Sequence, residues 1–465
     1  MNWEQLLCEE RPRESTFKSA DDHRTQFERD FDRTVFSTPV KRLQDKAQVF
    51  PLEPHDAVRT RLTHSLEVSS VARGLAIDVG KWLCEKKEIN QEARRKIEAI
   101  AATCGLIHDL GNPPFGHSGE DAIRYWFKNN MGECTLRKLL TYKEQLVQDF
   151  LKFEGNAQSL RLVTKLQILA DYHGLNLTWG TLSASCKYIS NSMDTEKDGD
   201  HAKSKPGFFA SEKAIISDMQ SKTGTNEARN PITYLVEAAD DIVYAAADIE
   251  DAVKKGILEW SWISEELKSN PDKHIRSALE GMENILKPAE DRDALADDVY
   301  ASAFRTSAIK VLVEAVTEAF EAQYDQIMSG TFNGELVKEC KAALLIEKLK
   351  EIGRTKVYCT PSNLKLEIMG RRVICDLMDL FWEGAKQLDP DKGKSLSTKT
   401  FWGKINSLIS DNYRRVFYIA IERNAEKTAS EKLPETYFRL QLVTDYICGM
   451  TDTFAKRLHS ELTNG

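Results

Sequence analysis

The sequence predicts a mainly α-helical protein with one small β ribbon. Three observations carry that reading. Apolar residues recur at helical spacing through most of the chain, strand-like alternation is confined to one short window, and no glycine-rich phosphate loop follows a strand. Residues 62–86 place Val68, Val71, Leu75, Val79 and Leu83 on one helical face. Residues 95–110 repeat the pattern with Ile97, Ile100, Ala101, Cys104 and Ile107, and Gly111 supplies a stop. A third helix is predicted over 231–255, with Pro231 at its start and Gly256 just past its end. Further periodic stretches fall at 300–330, 335–352, 371–388, 403–425 and 434–460. The ribbon is placed at 355–370, where Leu364, Leu366 and Ile368 alternate with Lys365, Glu367 and Met369 after the turn-like Thr360-Pro361-Ser362-Asn363. Polar segments at 190–206 and 387–400 read as exposed loops.

At roughly 150 residues per domain, 465 residues allow one large domain or two to three ordinary ones. Such a chain buries a sufficient core without disulfides or structural zinc. Hydrophobic content of 41% with 29% charged residues describes a soluble globular protein. No apolar stretch approaches the ~18 residues of a membrane span, and the N-terminus lacks the pattern of a secretory signal, so a cytoplasmic location without membrane attachment is expected. The nine cysteines stand singly, with no Cys-x-x-Cys pair, which leaves zinc ribbons and thioredoxin-type sites without support. Their odd number suits reduced thiols, most of them serving as small core residues. A net charge of −8 argues against bulk wrapping of nucleic acid, though it is compatible with a local basic groove.

Three places in the chain could carry metal chemistry. His108-Asp109 ends an apolar helix at the Gly111 turn, where both side chains can face one ion; imidazole and carboxylate suit Mn, Fe, Co, Ni or Zn better than Ca. His64 lies on the first turns of the 62–86 helix. At 100° per residue, Asp240, Tyr244 and Asp248 share a face within ~80° on an alanine-rich helix, where buried acids need a cation or hydrogen-bond donors. In isolation each has an ordinary alternative: a capping pair, a boundary histidine, a solvated acidic stripe.

Taken in order, His64, His108-Asp109 and Asp240 form the H…HD…D pattern of the HD-domain metal phosphohydrolases. The surrounding text, KRLQDKAQVFPLE (41–53), VRTRLTHSLEV (58–68), LIHDLGNPPFGHSGEDAI (106–123), FEGNAQSLRLV (153–163) and EAADDIVYAAADIEDAV (237–253), resembles the bacterial dGTP triphosphohydrolases. The likeness resumes at 331–336, 366–374 and 445–455, so it spans nearly the whole chain. The resemblance implies an HD-domain helical core over 59–256, an N-terminal segment over 1–58 that contributes to the nucleotide pocket, and a C-terminal helical region over 257–465 with base-side contacts.

It also implies site residues. His64, His108, Asp109 and Asp240 match the metal ligands, with Mg or Mn most expected and other transition metals compatible. His117 and Glu120 match a catalytic dyad whose i, i+3 spacing lets a carboxylate orient an imidazole that acts as general acid. Arg61, Asn156, Lys187, Lys205 and Arg305 match residues around the triphosphate; Gln48 and Asp248 match those at the 3′-hydroxyl; Tyr244 matches the ring against the deoxyribose. Tyr358 and Glu367 align with ring-side and guanine-edge positions. A further base-reading arginine of the family falls within 387–403, where this chain has lysines and a different length, so it has no match here. The implied activity is hydrolysis of dGTP to deoxyguanosine and triphosphate, by attack of metal-held water on the α-phosphorus. The implied assembly is a homo-oligomer, a hexamer in the family, with single-stranded DNA as a candidate effector. Two other readings stay open: a dNTP triphosphohydrolase with little base choice, and a nucleotide- or single-stranded-DNA-binding regulator on the same fold.

Overall fold

The computed structural model describes residues 1–14, 23–53, 55–166, 173–196, 199–289, 295–389 and 398–463. The helices that build the site are α1 (Arg61–Glu85), α2 (Gln91–Ile107), α3 (Gly116–Tyr125), α4 (Gly155–Arg161), α5 (Pro231–Lys254), α6 (Asp297–Ser329), α7 (Ala343–Ile352), α8 (Pro361–Lys386), α9 (Glu435–Cys448) and α10 (Asp452–Thr463). Their limits follow local chemistry. Thr60 caps α1 in a reciprocal box with Thr63, Asn90 caps α2, and Asn230 caps α5 immediately before Pro231. Gly256 and Gly330, both at positive φ, follow α5 and α6. The stretches predicted at 335–352, 403–425 and 434–460 are each broken into two helices, at 340–342, 409–410 and 449–451.

The β ribbon is not there. Among the described residues no strand occurs, only two isolated bridges, Ala47 with Thr60 and Ser190 with Pro206. Residues 353–357 form a π turn, and α8 begins at Pro361 and runs through the window read as alternating. The reason lies in which face is buried. From Gly370 onward α8 buries Val373, Ile374, Leu377, Met378 and Phe381 at helical spacing, but in its first two turns the inward residue is Asn363, while Leu364 and Ile368 are 45% and 72% exposed. A polar inward face inverts the hydrophobic pattern, and six residues of inverted helix mimic a strand. The 190–206 segment carries a 3-10 turn at His201–Lys203 and buries Ser192 on Asp149, so it is not wholly exposed. Most of the loop read at 387–400 lies outside the described residues.

Two large apolar clusters divide the molecule. The first joins α1, α2, α5, α6 and α7 through residues such as Leu75, Ile100, Ile242, Phe320 and Leu349. The second joins α3, α4, α8 and α9 through Ile123, Leu160, Met378 and Ile447. At ~1.5–3 kcal/mol for each fully buried large aliphatic side chain, both are ample cores. Helix α2 passes between them: Ile97, Ile100 and Cys104 belong to the first, Leu106 and Ile107 to the second. It unwinds at His108, so the His-Asp pair emerges at the seam. All nine cysteines are free, five of them buried. No helix among the described residues is long and apolar enough to cross a membrane.

Candidate active site

Helix α5 supplies the floor of the seam. From Pro231 to Val253 every residue is buried except Asp240, Asp241 and Tyr244, so the gap in burial marks where a cavity opens. Opposite stand His64 from α1 and His108-Asp109 from the end of α2. His64 Nε2 lies 3.1 Å from Asp240 Oδ1, and His108 Nε2 lies 3.5 Å from both Asp109 Oδ2 and Asp240 Oδ1. Donor atoms of His64, His108 and Asp109 fall within 4.8 Å of one another.

The imidazole orientation tests whether this set fits a metal. His108 Nδ1 bonds the Gly105 carbonyl at 2.7 Å, which makes Nδ1 the protonated nitrogen and leaves the Nε2 lone pair facing the carboxylates. That Nε2 is buried and has no hydrogen-bond partner. A buried nitrogen facing two carboxylates calls for positive charge there, supplied by the ring's own proton or by a cation among them. Burial works against charging His108, yet Asp109 and Asp240 raise it to about 9. Burial likewise opposes ionisation of Asp109, but Arg61 and His108 hold it down at about 2. The pocket therefore attracts a positive charge, and two imidazoles with two carboxylates fit a divalent transition ion or Mg.

Two cavities meet at this cluster. The smaller, about 140 Å³, is lined by His108, Asp109, His117, Glu120, Glu154, Asn156, Lys187, Lys205 and Glu237. Its cations are already engaged: Lys187 lies 3.6 Å from Glu237 and Lys205 3.4 Å from Glu154, while Asn156 donates to Glu154 at 3.0 Å. Arg61 pairs with Asp109 and also donates to the Ala47 carbonyl. Glu154 and Glu237 were not foreseen as part of this wall, though both had a signal: Glu154 stands inside FEGNAQ and Glu237 opens the 237–253 segment.

His117 and Glu120 share that cavity, but no hydrogen bond joins them. Glu120 accepts from Gly155 N–H and lies 3.8 Å from Arg124. Burial and the neighbouring Glu154 raise its carboxyl to about 7, while burial and Arg61 lower the His117 imidazole. A Cβ at Gly155 would meet Asn112 Oδ1 at 2.3 Å and Glu120 Oε1 at 2.8 Å, so any larger residue there displaces both side chains. The turn that delivers His117 is tight: Phe115 and Gly116 both have φ near +60°, a region that costs a phenylalanine ~1–3 kcal/mol. Asp452 at the start of α10 secures it by accepting from the amides of Phe115 and Ala47.

The larger cavity, about 450 Å³, opens on the other side of Asp240. Its walls include Gln48, Arg61, Asp109, Phe115, His117, Tyr244, Tyr358, Asn363 and Glu367. Asp248 sits just behind, its Oδ2 accepting from Tyr358 Oη at 2.5 Å, and the Tyr244 and Tyr358 rings lie 6.2 Å apart. Burial lifts Asp248 to about 8 despite that bond. Asp241 also lines this cavity and pairs with Lys350 at 2.5 Å. Sequence reasoning missed Asn363, whose segment was read as a turn before a strand, and Lys350, which lies in an ordinary amphipathic helix.

One candidate stands apart. Arg305 on α6 lines neither cavity; its guanidinium lies 3.0 Å from Glu250 and 3.6 Å from Glu67, in a cluster that Arg59 shares with Glu67, Glu250 and Asp251. The other fifteen sequence-derived positions are placed in or directly behind the two cavities.

Comparison with known proteins gives a family. The family model of the HD domain matches residues 61–156, which hold His64, His108, Asp109, His117 and Glu120. A protein of Listeria innocua named deoxyguanosinetriphosphate triphosphohydrolase-like protein is 38% identical over 473 aligned positions, covering 99% of each chain. Proteins of Enterobacter sp. and Klebsiella pneumoniae named deoxyguanosinetriphosphate triphosphohydrolase are 32% and 31% identical, covering 92% of each chain.

Proposed function

Because the chain belongs to the deoxyguanosinetriphosphate triphosphohydrolase family of HD-domain hydrolases, we propose that it hydrolyses dGTP to deoxyguanosine and triphosphate. The observation that carries this reading is the division of the site. A compact wall of lysines, imidazoles and carboxylates adjoins a cavity large enough for a nucleoside, and the His-Asp cluster stands between them. A triphosphate in the first and a nucleoside in the second put the α-phosphate at the cluster.

His64, His108, Asp109 and Asp240 would hold the divalent ion, with Mg or Mn as the expected metals. Once bound, that ion neutralises phosphate charge and lowers the pKa of water near it. Charge balance supports the need for it. Arg61, Lys187 and Lys205 each stand beside a carboxylate, Asp109, Glu237 and Glu154, the second of which Arg229 and His201 also engage, and added positive charge at the cluster would free them for a polyanion. Lys187, Lys205, Asn156 and Arg61 then hold the triphosphate. His117 protonates the departing 5′-oxygen, and Glu120, held by Gly155 N–H at the same wall, steadies the imidazolium.

On the nucleoside side, Tyr244 packs against the sugar and leaves no room for a 2′-hydroxyl. Gln48 and Asp248 bind the 3′-hydroxyl. Gln48 Oε1 has no partner, and Tyr358 holds Asp248 by one oxygen. The test is product analysis with dGTP, dATP, dCTP, dTTP and GTP in the presence of Mn or Mg. Deoxyguanosine and intact triphosphate are expected from dGTP and not from GTP. Pyrophosphate or inorganic phosphate as the released product, or no turnover of any dNTP, overturns the reading.

A further inference from the structure

The nucleoside cavity contains a polar group that no step above uses. Asn363 is 4% exposed, lines the cavity beside Glu367, and its Oδ1 is buried with no hydrogen-bond partner. Proteins rarely leave a buried acceptor unmatched, since the desolvation it suffers on folding is then uncompensated. The placement is built rather than incidental. Pro361 and Thr360 fix the start of α8 so that Asn363 and Glu367, one turn apart, share its inward face. The apolar side chains of the same two turns, Leu364 and Ile368, are turned outward. Glu367 has no hydrogen-bond or ion-pair partner among the described residues.

Two acceptors one helical turn apart call for two donors on one edge of a ligand. Among the four DNA bases, guanine alone offers adjacent N1–H and 2-amino donors on its pairing edge. Adenine would present its N1 lone pair to a carboxylate, and the pyrimidines have a single donor site on that edge. We infer that Asn363 is a specificity-determining residue whose Oδ1 accepts a hydrogen bond from the 2-amino group of guanine while Glu367 accepts from N1–H; this rests on the deoxynucleotide reading given above. The pair then selects for guanine without the arginine that the family places between 387 and 403.

Comparing dGTP with dITP isolates the contact, because hypoxanthine keeps N1–H and O6 and lacks only the 2-amino group. The parent is expected to favour dGTP by roughly 10-fold in kcat/KM, the effect of leaving one buried acceptor unmatched. In Asn363→Leu, which keeps the side-chain size and removes the acceptor, the two substrates should converge: dGTP falls and dITP stays within about 2-fold, which also shows that the variant is folded. Asn363→Asp retains an acceptor oxygen and suits the first turn of a helix, so it should keep the preference. A parent that treats dGTP and dITP alike, or an Asn363→Leu variant that lowers both equally or keeps the parental ratio, overturns the inference and leaves the triphosphohydrolase reading standing. A parent that releases triphosphate from neither substrate overturns that reading, and the inference with it.

Discussion

On the metal side of the seam the charges are paired in advance: Lys187 with Glu237, Lys205 with Glu154, and Asp109 with Arg61, which also lines the larger cavity. On the nucleoside side Gln48 Oε1 and Asn363 Oδ1 are buried without partners. On the proposed reading the first arrangement meets a change of charge where bonds break, and the second accepts hydrogen bonds that a ligand brings. Chemistry and selection are on that reading centred on different cavities, which share Asp109, His117 and Asp240 as their common wall. Mutations on the two sides should fail in different ways.

The largest effect belongs to the metal side. Asp109→Ala removes a donor of the cluster and leaves Arg61 without its carboxylate, so bound metal and turnover should vanish together; elemental analysis beside a triphosphate assay checks this. Full activity without metal would erase the distinction between the sides. His117→Ala should lower kcat by roughly 100-fold or more with KM nearly unchanged, because a general acid acts chiefly in the transition state. A changed KM with an intact kcat would move His117 to the binding side.

The nucleoside side should show altered ratios rather than loss of rate. A ring at C2′ and an unmatched buried hydroxyl should favour dGTP over GTP by over ~100-fold, and Tyr244→Ala should narrow that ratio, measured as paired kcat/KM values. An unchanged ratio would place the sugar gate elsewhere.

Both sides were unequally legible in the sequence. That His64, His108, Asp109 and Asp240 belong together was readable only from their family order, since each alone has an ordinary alternative; the fold brings them to one cluster. Asn363 was not, and for the same reason the β ribbon was misplaced: a helix whose inward face is polar loses the apolar period by which helices are recognised. Arg305 shows the converse limit. It matched by position, but position does not reveal that Glu67 and Glu250 already engage it.

Two smaller effects sharpen the comparison. Burial keeps Asp248 protonated to about pH 8 in the folded chain against an ordinary value of 3.8. The folded state therefore binds more protons than the unfolded one between about pH 4 and 8, and this group's contribution to stability is lost as pH rises through that window. Asp248→Asn should flatten that slope in a series of thermal melts, while weakening dGTP and GTP binding alike; an unaltered slope would mean that the carboxyl is ionised in the fold. The smallest effect is expected at Arg305: alanine there should leave kcat/KM for dGTP within about 2-fold, since Arg305 lines neither cavity and Arg59 also engages its partners Glu67 and Glu250. A large loss would bring α6 into the site.

The central claim is that the seam positions the α-phosphorus, and not a carbon of the sugar or an outer phosphate, for attack by water. Hydrolysis of dGTP in ¹⁸O-labelled water tests it directly, with products resolved by mass spectrometry. One ¹⁸O in the released triphosphate and none in deoxyguanosine is the expected result. Label in the nucleoside, or in free inorganic phosphate or pyrophosphate released in place of triphosphate, would contradict the account.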